Sequence, residues 1–207
     1  MMKRIVFLPM LPALLSFSSG CTQDVGQRDL TPREAYEEFW QKVDGDFADA
    51  EKSPLSAEML AEFDSVPRYA YDPAYRVEAL WVPLSGEKPM TFETTGDVKH
   101  RYQKAGLIRF DLDSVSLELS AYLNLDLMRQ SPEGNSLFVP FTDETSGFDT
   151  YGGGRYLEVD LPEGETAVVD FNFAYNPYCV YSERYSCPIP PRENHLEVPI
   201  RAGARVE

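Results

Sequence analysis

Residues 108–123, IRFDLDSVSLELSAYL, decide the fold of this chain. Apolar residues occupy every second position on both sides of Asp113-Ser114, with charged and hydroxyl residues between them. Successive side chains of a strand point to opposite faces, so each run predicts a strand with one buried and one wet face. The polar pair at the centre marks the turn, and the whole stretch predicts an antiparallel hairpin.

Further short strands are predicted on both sides of this hairpin. Period-two or apolar runs bounded by Gly, Pro, Asn and Asp occur at residues 75–82, 89–94, 136–141, 155–161, 166–173 and 196–200. Several short strands separated by turn signals favour a mainly β fold, either an antiparallel sandwich or an open barrel.

One or two helices are predicted before the strands. Thr31 is a suitable N-cap, Pro32 suits the first helical position, and Glu34 completes a capping box. Tyr36, Trp40 and neighbouring apolar residues then recur at helical spacing, and a second short helix is predicted from Ser56 through Phe63. The sequence therefore predicts a helical preface at residues 31–66, packed on a β domain at residues 67–207.

The start of the chain has the pattern of an export signal. Lys3 and Arg4 precede an apolar run at residues 5–15, and small residues lead to Gly20-Cys21. This ending resembles a bacterial lipobox, which predicts a signal peptide at residues 1–20, a lipid on Cys21 and a tether at residues 21–30. An ordinary signal peptide cleaved nearby, or a free Cys21, is the alternative.

Export and lipidation together predict the location. Thr22 follows Cys21, which resembles signals sent to an outer membrane. We therefore expect a protein held to the membrane through its N-terminal lipid, facing the periplasm or the cell surface.

The charge of the chain restricts its partners. The formal net charge is −15, and loss of Lys3 and Arg4 with the signal peptide changes it to −17. A strongly acidic surface repels nucleic acid, so a small-molecule, sugar or protein ligand is expected instead.

The two cysteines outside the signal region leave two interpretations. Cys179 and Cys187 form an even pair that an oxidising compartment would join in a disulfide closing a small loop. The alternative is two buried thiols that pack like small apolar residues.

Several motifs connect the chain to a known family. Phe141-x-Asp143-x-Thr145-x-Gly147, TYGGGRYL at residues 150–157, and CPIPP at residues 187–191 are among the strongest of them, with Ser53-Pro54-Leu55 and YDPAYRV at residues 71–77 further upstream. Together they resemble the bacterial family called domain of unknown function 1684, over roughly residues 35–203. The resemblance implies no substrate, reaction or cofactor.

The same block suggests a ligand site. Glycines before Arg155 could turn backbone amides toward an anion, with the guanidinium adding a bidentate contact. The alternative is a glycine turn with Arg155 paired to an Asp. The residues predicted to form a ligand-binding site are Asp143, Tyr151, Arg155, Asp170, Asn172 and Asn176.

Other chemistry in the block stays open. The carboxylates Asp143, Asp149, Asp170 and Glu193 could hold a hard cation, act as an acid and base pair, or cap turns. Cys179, Cys187 and His195 match no standard zinc spacing, so no metal ligand is predicted. A cluster of aromatic residues could bind a sugar or an apolar ligand or could fill the core: Tyr151, Tyr156, Phe171, Phe173, Tyr175, Tyr178, Tyr181 and Tyr185.

Three functional hypotheses follow, and no catalytic residue is predicted. The first is a lipid-anchored binding or interaction module of the cell envelope. The second is an envelope hydrolase that uses paired carboxylates, with or without a divalent metal. The third is a purely structural envelope protein. Exposure of Arg155 separates them, because a ligand site needs it at a concave wet surface and a structural role needs it buried and fully paired.

Overall fold

The computed structural model describes residues 29–130 and 136–206, so the predicted signal peptide and Cys21 lie outside the described residues. Its helices are α1 Pro32–Ala48, α2 Ala57–Ala61 and α3 Leu125–Gln130. Its strands are β1 Arg76–Pro83, β2 Met90–Thr91, β3 Arg101–Leu112, β4 Val115–Asn124, β5 Ser136–Asp143, β6 Arg155–Asp160, β7 Thr166–Asp170 and β8 His195–Leu196. The predicted mainly β fold with preceding helices is confirmed.

The strands of the described residues form one curled antiparallel sheet. The order is β6-β5-β4-β3-β1-β7, with β2 paired to β3 and β8 added in parallel to β5. The curl brings the two edge strands, β6 and β7, near each other without a hydrogen-bonded ladder between them in the described chain. The architecture is therefore an open half-barrel.

The hairpin predicted from residues 108–123 is the centre of this sheet. Leu112 pairs with Val115, and the turn residues Asp113 and Ser114 have φ of 50° and 67°. Positive φ at both central residues defines a turn whose twist matches that of the flanking strands. The inward residues, among them Ile108 and Leu119, form the main core.

A β-bulge gives β3 a second buried face. The register with β4 shifts between Lys104 and Gly106, so the side-chain alternation reverses there. A Cβ on Gly106 would collide with the Trp81 ring, so only glycine fits. Beyond the bulge Tyr102 turns to the outer face and packs with Phe138. The half-barrel therefore has an inner core and a separate aromatic cluster on its outside.

Helix α1 begins as predicted and closes one side of the domain. The Thr31 hydroxyl accepts a hydrogen bond from the Glu34 amide, and the Glu34 carboxylate accepts from the Thr31 amide. Trp40 is buried and donates from Nε1 to the Asn172 carbonyl at 3.1 Å. Helix α2 has the predicted Ser56 N-cap but ends at Ala61. Among the described residues, no helix combines the length and apolar character needed to cross a membrane.

Two strand predictions near the C-terminus are wrong in extent. Strand β7 ends at Asp170, because its carboxylate accepts from the Asn172 amide at 3.1 Å and caps a 3₁₀ turn. Of residues 196–200, Leu196 alone is in a strand, the parallel β8. Nearby, β4 and β5 pair at one position, Tyr122 with Phe138, and then diverge.

The side chain of Asn194 bridges the gap between β4 and β5. Its Oδ1 accepts from the Ser120 amide at 2.8 Å, and its Nδ2 donates to the carbonyls of Ser120 and Pro140 at 2.9 and 2.7 Å. Asn194 is fully buried, so the amide replaces ladder hydrogen bonds that the diverging strands cannot make.

Candidate functional site

Arg155 lies at the start of β6 with its side chain inside the protein. Its guanidinium is fully buried and donates from Nη2 to Asp143 Oδ2 at 2.9 Å and to the Ile200 carbonyl at 2.8 Å. Nη1 donates to the carbonyls of Ala202 and Ala204. The guanidinium thus ties the C-terminal segment to β5 and β6.

Asp143 completes this clasp. It is 2% exposed, and its Oδ1 accepts from the Thr145 amide at 2.7 Å, the Thr145 hydroxyl at 2.6 Å and the Ile200 amide at 3.2 Å. Burial lowers the pKa of Arg155, and the Asp143 charge opposes that shift. Neither charge reaches a wet surface, so the pair has the geometry of a structural clasp and not of a ligand contact.

The glycine loop before Arg155 is built into the same clasp. Gly154 has φ of 89°, and a Cβ there would collide with the Phe141 carbonyl oxygen. Its amide donates to the Tyr151 carbonyl at 3.0 Å, and the buried Thr150 hydroxyl bonds to that of Thr145 at 2.9 Å. The arrangement matches the turn alternative and not an anion cradle.

The side chains of Asp170, Asn172 and Asn176 have other partners than Arg155. Asp170 lies 3.6 Å from Nε of Arg76. Asn172 is fully buried and joins the segment before β1, because Nδ2 donates to the Asp72 carbonyl at 2.8 Å and Oδ1 accepts from its amide at 2.9 Å. Asn176 donates to the Tyr181 hydroxyl at 3.2 Å. Of the predicted set, the structure brings together Asp143 with Arg155 and Asp170 with Asn172.

Cys179 and Cys187 are adjacent but not bonded. Both are free thiols, and the Cys179 amide donates to Cys187 Sγ at 3.3 Å, so the predicted disulfide is not confirmed. Burial raises the pKa of the Cys187 thiol to about 12. His195 lies away from both cysteines and forms a hydrogen bond with Thr142 Oγ1 at 3.0 Å. Within the described residues, no three His, Cys, Asp or Glu side chains are grouped to hold a metal ion.

A cavity of about 430 Å³ lies between the outer face of the sheet and the segment at residues 175–188. We call it the aromatic pocket. The sheet contributes the rings of Tyr102, Phe138 and Tyr156, and the segment contributes Tyr175, Tyr178 and Tyr185. The volume falls in the range of small-molecule sites, roughly 300 to 1,000 Å³.

The rings of the aromatic pocket face in different directions. Tyr156 and Tyr175 have centroids 5.8 Å apart and planes at 90°, and Phe138 meets Tyr156 at 4.8 Å and 74°. Tyr102 stacks on Phe138 at 5.3 Å. The walls of the pocket are therefore built from rings that pack edge to face or stacked on one another.

Backbone contacts hold the covering segment against the sheet. Tyr156 and Tyr175 exchange backbone hydrogen bonds at 2.9 and 3.0 Å, and the Tyr156 hydroxyl donates to the Pro188 carbonyl. At the other end Thr95 N donates to the Cys187 carbonyl at 3.0 Å. Both ends of the segment are fixed, so the pocket is preformed and a ligand would not have to order it.

Glu158 is the carboxylate that lines the aromatic pocket in the described chain. Its oxygens accept from Ser136 Oγ at 2.7 Å and from the Tyr175 hydroxyl at 3.1 Å. Glu158 is an exposed residue, but the protein atoms around its carboxylate displace part of the solvent and so raise its pKa. Burial, with a smaller contribution from the Glu158 charge, raises the pKa of Tyr102 to about 12.

A second cleft lies on the other side of Glu158, where β6 and β7 approach. Its volume is about 370 Å³, and its charged lining residues are Glu158, Asp160, Asp170 and Arg76. Burial raises the pKa of Asp170, and its Oδ2 makes no hydrogen bond to the described chain. The surroundings of Glu158 are thus predominantly negative.

The sequence indicated part of the aromatic pocket and missed its carboxylate. Four of the eight predicted aromatic residues line the pocket: Tyr156, Tyr175, Tyr178 and Tyr185. Phe171 is in the inner core, and Phe173 and Tyr181 pack against α1. The alternation of RYLEVD at residues 155–160 places Tyr156 and Glu158 on one face of the strand. That alternation could have predicted Glu158 as a neighbour of the aromatic residues.

Comparison with known proteins gives the family of the chain. Residues 61–205 match the family described as protein of unknown function (DUF1684), so the chain belongs to that family. The match begins after α1 and leaves Ser53-Pro54-Leu55 outside it. The motifs that carried the resemblance in the block at residues 141–196 all lie within it.

A solved structure shares the fold and much of the sequence. It is the solution NMR structure of the uncharacterized protein from gene locus rrnAC0354 of Haloarcula marismortui, 36% identical to this chain. The match covers 83% of this chain and 92% of that one, with a TM-score of 0.67. None of the curated proteins compared with the chain matches it.

Proposed function

We propose that this protein is a lipid-anchored binding module of the cell envelope and that the aromatic pocket is its ligand site. The observation that supports a binding role is the pocket itself, a cavity of about 430 Å³ with six aromatic rings and one carboxylate. A pocket of mostly apolar walls with few polar groups is the usual form of a small-molecule site. The export signature of residues 1–21 motivates the location.

The buried and paired Arg155 supports a structural role for its own block, so the binding proposal depends on the aromatic pocket. A hydrolase with paired carboxylates would need the cleft of Asp160 and Asp170, where Arg76 already pairs with Asp170. A purely structural role accounts for the clasp of Arg155 but does not explain the preformed aromatic pocket.

A thermal-shift screen tests the binding proposal directly. The mature protein, extracted from membranes with its lipid, is screened against sugars, apolar compounds, amines and phosphorylated metabolites. A ligand at one hundred times its dissociation constant adds about 2.7 kcal/mol of stability, which raises Tm measurably.

Two variants locate the site of any compound that binds. Tyr178→Ala removes a half-exposed pocket ring and should abolish the shift in Tm. Phe148→Ala removes a ring that is 83% exposed and outside the pocket, and should leave the shift unchanged. The proposal is wrong if no compound raises Tm, or if both variants keep the full shift.

Membrane attachment and the disulfide have their own tests. Cys21→Ala should release the protein from the membrane fraction, and unchanged partitioning would refute lipidation. We also propose that Cys179 and Cys187 form a disulfide after export, supported by their close approach. Thiol labelling of the exported protein without reductant should then leave both residues unmodified.

A further inference from the structure

We propose that the ligand of the aromatic pocket is an organic cation, an ammonium or methylated ammonium group held among the rings with Glu158 as its counter-ion. This inference rests on the proposed binding function and specifies the chemical class of the ligand.

Glu158 carries a charge that is unpaired in the described chain. Ten ion pairs are present among the described residues, and nine of them join an Asp or Glu to an Arg or Lys. None of the ten involves Glu158. Ser136 and Tyr175 supply one hydrogen bond to each carboxylate oxygen. A carboxylate has about four acceptor positions, so capacity for a cationic donor is left on both oxygens.

Most rings of the pocket have no cation of the described chain over them. A cation within about 6 Å of an aromatic centroid is attracted by the negative face of the ring. Elsewhere in the described chain the protein's own arginines occupy such positions, for example Arg68 over Trp40 at 5.1 Å and Arg155 over Phe141 at 5.3 Å. Of the six pocket rings, Tyr185 alone has such a partner within the described chain, Arg184. Tyr178, which is 42% exposed, is the most open of the other rings, because Tyr102 and Phe138 are buried against neighbouring rings.

The pocket lacks a strong partner for an anion, because no Lys or Arg of the described chain lines it. The hydroxyl of Tyr156 donates to Pro188, that of Tyr175 donates to Glu158, and that of Tyr185 accepts from Arg184. Asn176 also lines the pocket, and its Oδ1 has no hydrogen-bond partner in the described chain, so an ammonium N–H can donate to it.

Desolvation strengthens the case for a positive charge. The walls that raise the pKa of Glu158 disfavour its charged form, and a cation beside it would reverse that effect. The carboxylates of the adjoining cleft, Asp160 and Asp170, add negative potential, as does the formal charge of −15 on the whole chain.

Calorimetric titration with matched probes tests the inference. The cations are tetramethylammonium, choline and phenethylammonium, and the neutral probe is 3,3-dimethylbutan-1-ol, which replaces the nitrogen of choline by carbon. At least one cation should bind at millimolar concentration, and choline should bind about tenfold more tightly than its neutral analogue.

Variants assign the charge effect to Glu158. Glu158→Gln should weaken binding of the cation about tenfold and leave the neutral analogue unchanged. Glu163→Gln, an exposed loop carboxylate outside the pocket, should change neither. Tyr178→Leu keeps an apolar side chain but removes a ring face. It should therefore weaken binding of the cation more than binding of the neutral analogue.

The outcomes separate this inference from the proposed function. If choline and its neutral analogue bind equally, or if Glu158→Gln has no effect, the pocket binds ligands but not through a cation. If none of the three cations binds while a sugar or apolar compound does, the inference is overturned and the binding function stands. If no compound of any class binds, both fail.

Discussion

Arg155 and Glu158 lie three residues apart on one strand, and their surroundings differ completely. Arg155 points into the half-barrel, where Asp143 and three backbone carbonyls accept four hydrogen bonds from its two terminal nitrogens. Its buried Nε has no hydrogen-bond partner in the described chain. Glu158 points to the outer face, where two hydroxyl donors leave it partly satisfied beside an open cavity. The difference indicates that charge alone does not mark a site. A buried charge that is paired with an opposite charge holds a fold together, whereas an unpaired charge at a cavity has capacity for a ligand.

The largest expected effect is on the clasp. Arg155→Ala should reduce the free energy of unfolding by about 3 to 5 kcal/mol, because it leaves the Asp143 charge buried without its partner. Arg109→Ala is the matched control, since Arg109 pairs with Glu118 at 2.6 Å on the exposed face. It should change stability by about 1 kcal/mol or less. Denaturant unfolding measures both, and equal losses would mean that the clasp contributes little.

A slightly smaller effect is expected at the bridge between β4 and β5. Asn194→Ala should reduce the free energy of unfolding by about 2 to 3 kcal/mol, because the Ser120 amide and two carbonyls lose their partner in the interior. His195→Ala, the exposed neighbour, should have an effect within about 0.5 kcal/mol. If the two variants unfold at the same denaturant concentration, water or a strand shift replaces the bridge.

A modest effect is expected where the covering segment meets the sheet. Tyr156→Phe removes the hydrogen bond to the Pro188 carbonyl and should reduce stability by about 1 kcal/mol. Tyr178→Phe removes a hydroxyl that has no hydrogen-bond partner in the described chain and should have no effect. Hydrogen exchange should show faster opening of residues 175–188 in Tyr156→Phe alone, and a global change would contradict the assignment.

The smallest effect on stability is expected at Glu158. Its pKa is raised in the folded protein, so the folded state holds the proton more tightly and stability is lost as pH rises through the folded pKa. Glu158→Gln should therefore match the wild type in Tm at low pH and equal or exceed it at neutral pH. A variant less stable than the wild type at neutral pH would show that Glu158 supports the fold as Arg155 does.

The sequence predicted the elements whose signals are local. The alternation in residues 108–123 and the capping residues Thr31 and Glu34 act through neighbours in the chain, and both were confirmed. The pairing of Asp143 with Arg155 could also be predicted from the sequence, because the two residues flank one connection between adjacent strands. Asp170 and Asn172 were predicted at the same site, but β7 pairs with β1, away from Arg155.

The sequence by itself determined the fold class, the family and the pattern that puts Tyr156 and Glu158 on one face of β6. Only the tertiary structure decided which face became core and which became pocket. The bulge at Gly106 turns Tyr102 outward, and the segment at residues 175–188 folds back over the rings. Both depend on contacts between residues far apart in sequence, and desolvation of Glu158 follows from that enclosure, which no local pattern encodes.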